Sequence, residues 1–502
     1  MLRQIGTILL SLLSGAVLAL PFVNGTLWIF SWFGFFPLLL ALRAKSAPRA
    51  FFLAWCTGFT FWLASGYWLI HVSLPGMLLV VSYLALYFGL FGSAYAAWGA
   101  RGWRSPWLFS AVWVMLEYIR THFLTGLGWA LLGYSQYLNL AVIQIADVTG
   151  VWGVSFLIMA VNLVCLQLCV ERSRLVRLRA LTAALAVLAV CVYGGYRLSQ
   201  MRNMRLLAPL TVSVIQGNIP QELKWDVKSR EEIIGQYLRI STGAAGLKPD
   251  LLIWPEAALP VVLEEEPFFF ALVQDFVKTS GVPVLLGAVT RRQGAYYNSA
   301  ILVPAGSPTI IRYDKLHLVP FGEYVPLRRI LRFLETVVPI GDFTPGKAYT
   351  VFPSVCTHLK AKPGFSVLIC FEDTFPELAP RFVNAGAGFL VNITNDAWFK
   401  DTPAPYQHLQ ASVFRAVENR LYVVRAANTG VSCFIAPSGR ILSRVSNSTG
   451  KDTYVEGSAA YTIDAARATA VTAYTLTADA FVGACFLFVA AYAALMRSRK
   501  NV

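Results

Sequence analysis

The sequence predicts a multi-pass α-helical membrane domain of about eight transmembrane helices, joined to an extracytoplasmic α/β domain. Three observations support this fold class. Hydrophobic residues make up 56% of the chain and charged residues only 14%, with a mean hydropathy of +0.57, well above the soluble average. Long apolar runs fill the N-terminal part. A polar segment with alternating strand and helix patterns follows, before one last apolar run. This composition does not fit a soluble globular protein.

The predicted spans are the apolar runs of the chain. They cover residues 5–22, 27–42, 51–70, 77–99, 106–119, 151–170, 180–196 and 480–496. Several approach the ~20 residues that cross a bilayer, and the shorter ones extend into small or aromatic neighbours. The first run also fits a signal peptide, because a basic start followed by an apolar core is common to both. Either interpretation leaves every later loop on the same side of the membrane.

Positive charge alternates between the loops. Lys and Arg occur in every second loop, whereas residues 21–26 and 71–76 contain none. The positive-inside rule therefore predicts a cytoplasmic N-terminus, and the basic C-terminal residues 497–500 place that end in the cytoplasm too. Because seven spans precede the polar segment and one follows it, that segment is predicted to be extracytoplasmic. In a bacterium this means a periplasmic domain on the inner membrane.

These boundaries divide the chain into three predicted domains. We expect a transmembrane domain at 1–204, a periplasmic catalytic domain at 205–472, and a final helix with a cytoplasmic tail at 473–502. The net charge of +15 lies largely in the loops, where it faces anionic lipid head groups. A basic patch interleaved with aromatic residues, as nucleic-acid binding would need, is missing from the sequence.

The polar segment alternates short apolar runs with helical patterns. The runs are rich in β-branched residues and bounded by Gly or Pro, which is typical of buried strands. They lie at 210–219, 250–254, 282–289, 299–303, 365–369 and 389–393, and helical spacing marks 230–240, 267–279 and 406–423. This alternation predicts a layered α/β domain with its reactive groups at strand ends.

Three predicted strands end in residues that can perform acid–base or nucleophilic chemistry, namely Glu256, Lys315 and Cys370. A thiol is only slightly ionised at neutral pH, so Cys370 needs a base or a stabilised thiolate. Glu256 can be that base, and Lys315 can stabilise an oxyanion. A helix start at 373–377 would also favour the thiolate. Taken singly, each residue also fits a structural role, as a buried cysteine, a helix cap or a solvated lysine.

Only three of the eight cysteines lie outside the apolar runs: Cys356, Cys370 and Cys433. They allow one disulfide at most, and the sequence has no C-x-x-C spacing of a metal site. Activation of the thiol by His317 or His408 is an alternative, but a carboxylate and a lysine already supply it. No metal or other cofactor is expected.

Taken in order, these segments resemble the nitrilase, or carbon-nitrogen hydrolase, superfamily, whose Glu-Lys-Cys triad occurs in that order. The flanking sequences narrow the resemblance to apolipoprotein N-acyltransferases, over essentially the whole chain. The segments that carry it are Trp254-Pro255-Glu256, Lys315 to Pro326, Cys370-Phe371-Glu372, Asn395 to Phe399, and Pro405 to His408 through Arg415 and Glu418 to Gly430.

The resemblance implies a four-layer α-β-β-α nitrilase-like domain on eight transmembrane helices. It also implies that Cys370 is the nucleophile, Glu256 the general base and Lys315 the electrostatic stabiliser. Glu323 and Glu372 match supporting glutamates of the family. Family members often have Tyr directly after the cysteine, where this chain has Phe371.

The implied activity is acyl transfer in two steps. Cys370 attacks a glycerophospholipid ester and holds the acyl chain as a thioester, which the α-amine of an apolipoprotein's diacylglyceryl-cysteine then takes. Because water would hydrolyse the thioester, we expect an apolar entrance at the bilayer. Trp398, Phe371, Tyr406 and Asn395 are the candidate substrate-binding residues, although the aromatic ones also fit a packed core.

Two other function classes fit part of the pattern. A membrane-anchored amidase or nitrilase would share the triad but use water as the acceptor, releasing a free acid from a small amide. A transporter or lipid-binding protein would carry an inactive α/β domain. However, the predicted spans contain almost no ionisable residue apart from Glu117, unlike those of ion-coupled transporters.

Overall fold

The computed structural model describes residues 2–100, 105–202, 207–307, 309–324, 343–355, 363–465 and 471–498. Contacts between residues divide the chain into two compact units. Unit 1 comprises Met1–Arg202, Thr402–Gln410 and Thr477–Val502, and unit 2 comprises Asn203–Asp401 and Ala411–Leu476.

Unit 1 is helical, because a helix satisfies its own backbone groups where no water is present. Its N-terminal helices are α1 (Leu2–Val23), α2 (Phe36–Ala41), α3 (Ala47–Ser65), α4 (Leu74–Ala100), α5 (Pro106–His122), α6 (Leu140–Ile143), α7 (Ala146–Thr149), α8 (Val151–Val170) and α9 (Arg174–Arg202). Short 3-10 helices occupy Gly25–Trp32, Tyr67–His71 and Leu132–Gln136.

Four of the described helices are long and apolar enough to cross a membrane: α4, α8, α9 and the Gln4–Val23 part of α1. Helix α9 buries few of its side chains, and Leu178, Leu181 and Leu185 are each 53–55% exposed. A helix that exposes so many large apolar side chains has the surface expected of one that faces lipid.

The predicted span at 27–42 differs from a continuous helix. Its residues form the 3-10 helix Gly25–Trp32 and the six-residue α2, with three non-helical residues between them. Pro37 stands in the first turn of α2, where a missing N–H is tolerated, but proline disfavours a helix that continues through it. Apolar composition alone did not reveal this break.

Glu117 of α5, the one carboxylate predicted within a span, contacts the chain that follows its helix. Its Oε1 accepts a hydrogen bond from the N–H of Leu132 at 2.7 Å. One turn later, Arg120 Nη1 donates to the carbonyls of Leu127 at 3.0 Å and Trp129 at 2.8 Å. The two ionisable side chains therefore anchor the connection between α5 and α6.

Unit 2 alternates strands and helices, as the sequence predicts. Its first half contains β1 (Pro209–Gln216), α10 (Arg230–Ala245), β2 (Leu251–Ile253), β3 (Leu259–Val262), α11 (Pro267–Ser280), β4 (Val284–Arg292), β5 (Ala295–Val303) and β6 (Ile311–Asp314). Its second half contains β7 (Gly364–Ile369), α12 (Leu378–Asn384), β8 (Ala387–Thr394), the end of α13 (Ala404–Asn419), β9 (Val423–Ala427), β10 (Cys433–Ile435), β11 (Ile441–Arg444), β12 (Gly457–Asp464) and α14 (Ala473–Thr477). Helix α13 begins in unit 1, and α15 (Ala480–Ser498) returns to it.

The strands of unit 2 form two sheets. The first has the order β12-β1-β2-β4-β5-β6, with β3 paired to β4, and the second has the order β11-β10-β9-β8-β7. Strands β1, β2 and β4 are parallel, and two antiparallel pairings give β6 the same direction. Strands β7, β8 and β9 are also parallel. The carboxyl ends of β2, β6 and β7 are therefore the places where open sheets carry functional groups.

The hydrophobic core between α10 and the first sheet fixes the segment before Glu256. Trp254 is fully buried and stacks on Tyr237 of α10 at 5.0 Å between ring centroids. Its indole N–H donates to Ser241 Oγ at 2.8 Å. Burial of two aromatic rings with a satisfied indole holds the end of β2 against the helix.

Candidate active site

Cys370 lies directly after β7, at the first position of the 3-10 helix Cys370–Thr374. Its φ of +52° is in the left-handed region, which costs free energy for a residue other than glycine. The Asn392 side chain on β8 donates to the carbonyls of Leu368 at 3.2 Å and Cys370 at 3.1 Å. The neighbouring strand thus holds the turn, and Cys370 as a whole residue is partly exposed.

Glu256 follows β2 and is nearly buried. Its Oε1 accepts from Asn298 Nδ2 at 2.8 Å and lies 3.5 Å from Lys315 Nζ, while its Oε2 accepts from the main-chain N–H of Asn395 at 3.0 Å. Gly287 on β4 allows this arrangement, because a Cβ there would lie 2.6–2.7 Å from backbone atoms of residues 255–257.

Lys315 follows β6 and is 1% exposed. Its ammonium lies 2.9 Å from Glu323 and 3.5 Å from Glu256. Burial acts to lower the pKa of Lys315, but Glu323 first and Glu256 second outweigh it, so the pKa is raised above its ordinary value. Lys315 therefore carries a positive charge throughout the neutral pH range.

Glu323 supports this arrangement by binding the Lys315 ammonium and the chain around it. Glu323 accepts from Lys315, from Asn298 Nδ2 at 2.6 Å and from the Val319 N–H at 2.7 Å. It therefore closes the loop after β6 around the ammonium.

Glu372 is fully buried and connects the ends of β6 and β7. It accepts from the Tyr313 hydroxyl at 2.8 Å, from the Leu316 N–H at 2.7 Å and from the Ile369 N–H at 2.7 Å. Burial raises the pKa of Glu372 to about 7, although the Ile369 N–H and the Lys315 charge act to lower it. The segment with Lys315 and the segment with Cys370 are thereby held by one carboxylate.

The thiol of Cys370 is held in its neutral form. Desolvation by the surrounding protein raises its pKa, the Glu256 carboxylate raises it further, and Lys315 opposes both. The helix expected to start at 373–377 is the seven-residue α12, which has Glu377 at its N-cap and begins at Leu378, eight residues after Cys370. The structure thus shows a protonated thiol within the electrostatic influence of the Glu256 carboxylate and the Lys315 ammonium.

A second layer of buried charges supports the strands that carry the site. Arg425 on β9 lies 3.1 Å from Asp373 and 3.2 Å from Asp396, and it donates to Asn392 at 2.7 Å. Asp373 also accepts from Ser412. Because Asp373 follows β7 and Asp396 follows β8, one arginine ties the loop that carries the thiol to the loop after the neighbouring strand.

The candidate substrate-binding residues differ in their surroundings. Asn395 is nearly buried: its main-chain N–H donates to Glu256 and its Nδ2 donates to Gln221 at 2.8 Å. Phe371 is buried and packs edge-on against Phe375 at 5.0 Å. Trp398 is 41% exposed. Tyr406 is half-buried in the part of α13 that belongs to unit 1.

The two histidines have aromatic neighbours. The His317 ring lies 3.7 Å from the Phe375 ring, and its main-chain N–H donates to Glu372 at 3.1 Å. His408 is buried in unit 1, where its ring lies 5.3 Å from that of Trp129. Of the other two cysteines, Cys433 is a buried free thiol, and Cys356 lies outside the described residues.

Sequence reasoning missed two side chains that touch Glu256. Asn298 bridges Glu256 and Glu323, and Lys224 Nζ donates to the Glu256 carbonyl at 2.9 Å. The one available signal for Asn298 was a polar side chain beside an apolar strand pattern. Lys224 lies in a polar loop and had no signal.

Comparison with known proteins identifies both parts of the chain. Residues 14–164 match the apolipoprotein N-acyltransferase N-terminal domain, and residues 211–471 match the carbon-nitrogen hydrolase family. A Geobacter metallireducens protein named apolipoprotein N-acyltransferase is 39% identical over 454 residues, which cover 86% of each chain. A Pseudomonas syringae pv. tomato protein of the same name is 34% identical over 86% of this chain and 88% of its own. Among solved structures, Saccharomyces cerevisiae Nit3 of the nitrilase superfamily covers 52% of this chain and 92% of its own, at 17% identity and a TM-score of 0.37.

Proposed function

The chain belongs to the apolipoprotein N-acyltransferase family, and we propose that Glu256, Lys315 and Cys370 carry out its acyl transfer. The protein is an acyltransferase with a carbon-nitrogen hydrolase domain. The observation that carries the assignment of residues is their convergence. Lys315 contacts Glu256, and Glu372 binds the Lys315 segment to the Cys370 turn.

The first half-reaction forms a thioester. Glu256 takes the proton of the Cys370 thiol as the sulfur attacks the ester carbonyl carbon of a glycerophospholipid. The Lys315 ammonium stabilises the negative charge that develops on the carbonyl oxygen. When the tetrahedral intermediate collapses, the carbon–oxygen bond breaks, Glu256 returns the proton to the leaving glyceryl oxygen, and a lysophospholipid departs.

The second half-reaction transfers the acyl group to an amine. The neutral α-amine of the diacylglyceryl-cysteine of an apolipoprotein attacks the thioester carbonyl carbon. Glu256 accepts a proton from the nitrogen and gives it to the departing sulfur, so the amide forms and the thiol is restored. One carboxylate thus serves both halves of the cycle.

The proposed topology follows the distribution of charge. Eight spans, a periplasmic catalytic domain on the inner membrane and cytoplasmic termini agree with basic loops on one side. The functional divisions are the transmembrane domain 1–204, the catalytic domain 205–472 and the C-terminal helix and tail 473–502. Exposure of Trp398 supports a role in contacting lipid, whereas the contact between Asn395 and Glu256 supports a role in holding the base.

The proposed mechanism is tested by mass spectrometry of the purified protein with dioleoyl phosphatidylethanolamine. We expect a mass gain of one acyl chain on Cys370, absent from Cys370→Ala and retained in Cys169→Ala, which removes an exposed thiol of unit 1. Adding a peptide with an N-terminal S-diacylglyceryl-cysteine moves the acyl chain to the peptide amine. An adduct that persists in Cys370→Ala would overturn the mechanism, and release of free fatty acid without transfer would show a hydrolase.

A further inference from the structure

Lys224 is a buried lysine in the loop between β1 and α10. Only 2% of it is exposed, whereas its neighbours Leu223 and Trp225 are 45% and 43% exposed. This is the reverse of the usual pattern, since lysine is normally solvated and burial of its ammonium costs free energy. A buried lysine between two exposed apolar residues therefore needs an interior partner.

That partner is the main chain of Glu256. Lys224 Nζ donates to the Glu256 carbonyl oxygen at 2.9 Å, and this is the one hydrogen bond of the Lys224 side chain among the residues that the structure describes. A neutral donor would satisfy a carbonyl at a lower desolvation cost. The positive charge, rather than the hydrogen bond alone, therefore distinguishes this contact.

The same loop also contacts Glu256 from a second direction. Gln221, three residues before Lys224, accepts from the Asn395 side chain, and the Asn395 main-chain N–H donates to the Glu256 carboxylate. A turn in which the Lys224 N–H donates to the Gln221 carbonyl at 3.3 Å holds these two residues together. The loop thus contacts the Glu256 backbone through Lys224, and through Gln221 it contacts Asn395, which holds the Glu256 carboxylate.

The charges around Lys315 leave a net negative charge that a second cation can offset. Glu256 and Glu323 are two carboxylates around the single ammonium of Lys315. The excess negative charge lies on Glu256 before the thiol proton moves and on the Cys370 sulfur after Glu256 has taken it. The other charged groups that act on the thiol are Asp396, which raises its pKa, and Arg425, which pairs with Asp396.

We infer that Lys224 is a positioning residue of the acyl transfer. It holds the backbone of Glu256 with the carboxylate toward Cys370, and its ammonium attracts the negative charge that these two groups exchange. This inference rests on the proposed roles of Glu256 and Cys370.

The charge of Lys224 has its own pH dependence. Burial lowers the pKa of Lys224 to about 8, although Glu256 and Cys370 act to raise it. The ammonium is therefore present below pH 8 and is lost as the pH rises above it. We expect formation of the Cys370 thioester to slow as the pH rises through this value.

The test measures the single-turnover rate of thioester formation with dioleoyl phosphatidylethanolamine. Lys224→Met is expected to lower the rate at saturating phospholipid on the order of 10²-fold, because the base is displaced. The phospholipid concentration for half-maximal rate stays the same, since Lys224 acts through Glu256. Lys228→Met, which changes an exposed lysine of the same loop, is the matched control and keeps the wild-type rate.

The pH profile separates a charge role from a merely structural one. The wild-type rate should fall above pH 8, and Lys224→Arg, which stays charged, should keep a measurable rate and lose that fall. A wild-type rate for Lys224→Met, or a wild-type profile without the fall, overturns the inference. If both variants fail to fold, the presence or absence of the fall above pH 8 in the wild-type profile still tests the inference. Absence of any wild-type adduct would instead overturn the proposed function.

Discussion

At the scale of single residues, Glu372 accepts hydrogen bonds from donors at the ends of two strands that belong to different sheets. The Tyr313 hydroxyl and the Leu316 N–H belong to the end of β6, and the Ile369 N–H belongs to β7. Glu256 and Glu323 both face the Lys315 ammonium, whereas Glu372 is held by neutral donors. A fully buried carboxylate with neutral donors is costly to ionise.

This cost predicts a pH-dependent contribution to stability. The pKa of Glu372 rises from an ordinary 4.5 to about 7 on folding, so the folded state holds a proton that the unfolded state releases between these values. Its contribution is fully present below pH 4.5 and is lost as the pH rises through 7. We expect the free energy of unfolding of the wild type to fall relative to that of Glu372→Gln, a neutral isostere, between pH 5 and pH 8. Thermal unfolding of both proteins in detergent at a series of pH values measures this difference in stability. A difference that stays constant with pH would contradict the prediction.

At the scale of elements, strands with strong local patterns were predictable and weakly patterned ones were not. The run at 389–393 is continuously apolar except for Asn392, and it lies in the fully buried β8. The half-exposed β12 contains Gly, Ser and two Ala, which have weak strand preference. It forms because antiparallel pairing with β1 satisfies its backbone along eight residues. Such pairing depends on a partner more than 240 residues away in sequence, Pro209 with Asp464 at one end and Gln216 with Gly457 at the other.

The loop after β9 gives a prediction at this scale. A Cβ on Gly430 would lie 2.1 Å from Asp396 Oδ2, and Asp396 is the carboxylate that pairs with Arg425. Gly430→Ala should therefore displace Asp396, destabilise the protein by roughly 1–3 kcal/mol and slow thioester formation. Thermal unfolding and the adduct assay measure the two effects.

Gly235→Ala is the matched control for that change. Gly235 lies within α10, and a Cβ there meets no atom within 4 Å. Because alanine favours a helix interior over glycine by about 1 kcal/mol, this variant should be as stable as the wild type or more so. Equal behaviour of the two variants would show that the space beside Asp396 is not critical.

At the scale of the whole molecule, membrane topology is the main testable consequence. A cysteine introduced by Thr449→Cys, in the exposed turn between β11 and β12, should react with a membrane-impermeant maleimide in spheroplasts. Ala44→Cys, beside Arg43 and Lys45 in the connection between α2 and α3, should react only after the membrane is permeabilised. Labelling of the unaltered protein measures the background reaction of its native cysteines. Reversed labelling would contradict the proposed orientation.

Hydropathy, strand alternation and motif order are local properties, which is why the membrane-spanning character, the α/β domain and the family could be recognised before any contact was known. Contacts between distant residues leave no such local pattern. Neither the bridge that Asn298 forms between Glu256 and Glu323 nor the contact of Lys224 with the Glu256 carbonyl could be predicted from the sequence. Only the folded chain decided them, because the energy of a buried polar group depends on the partners that surround it in space.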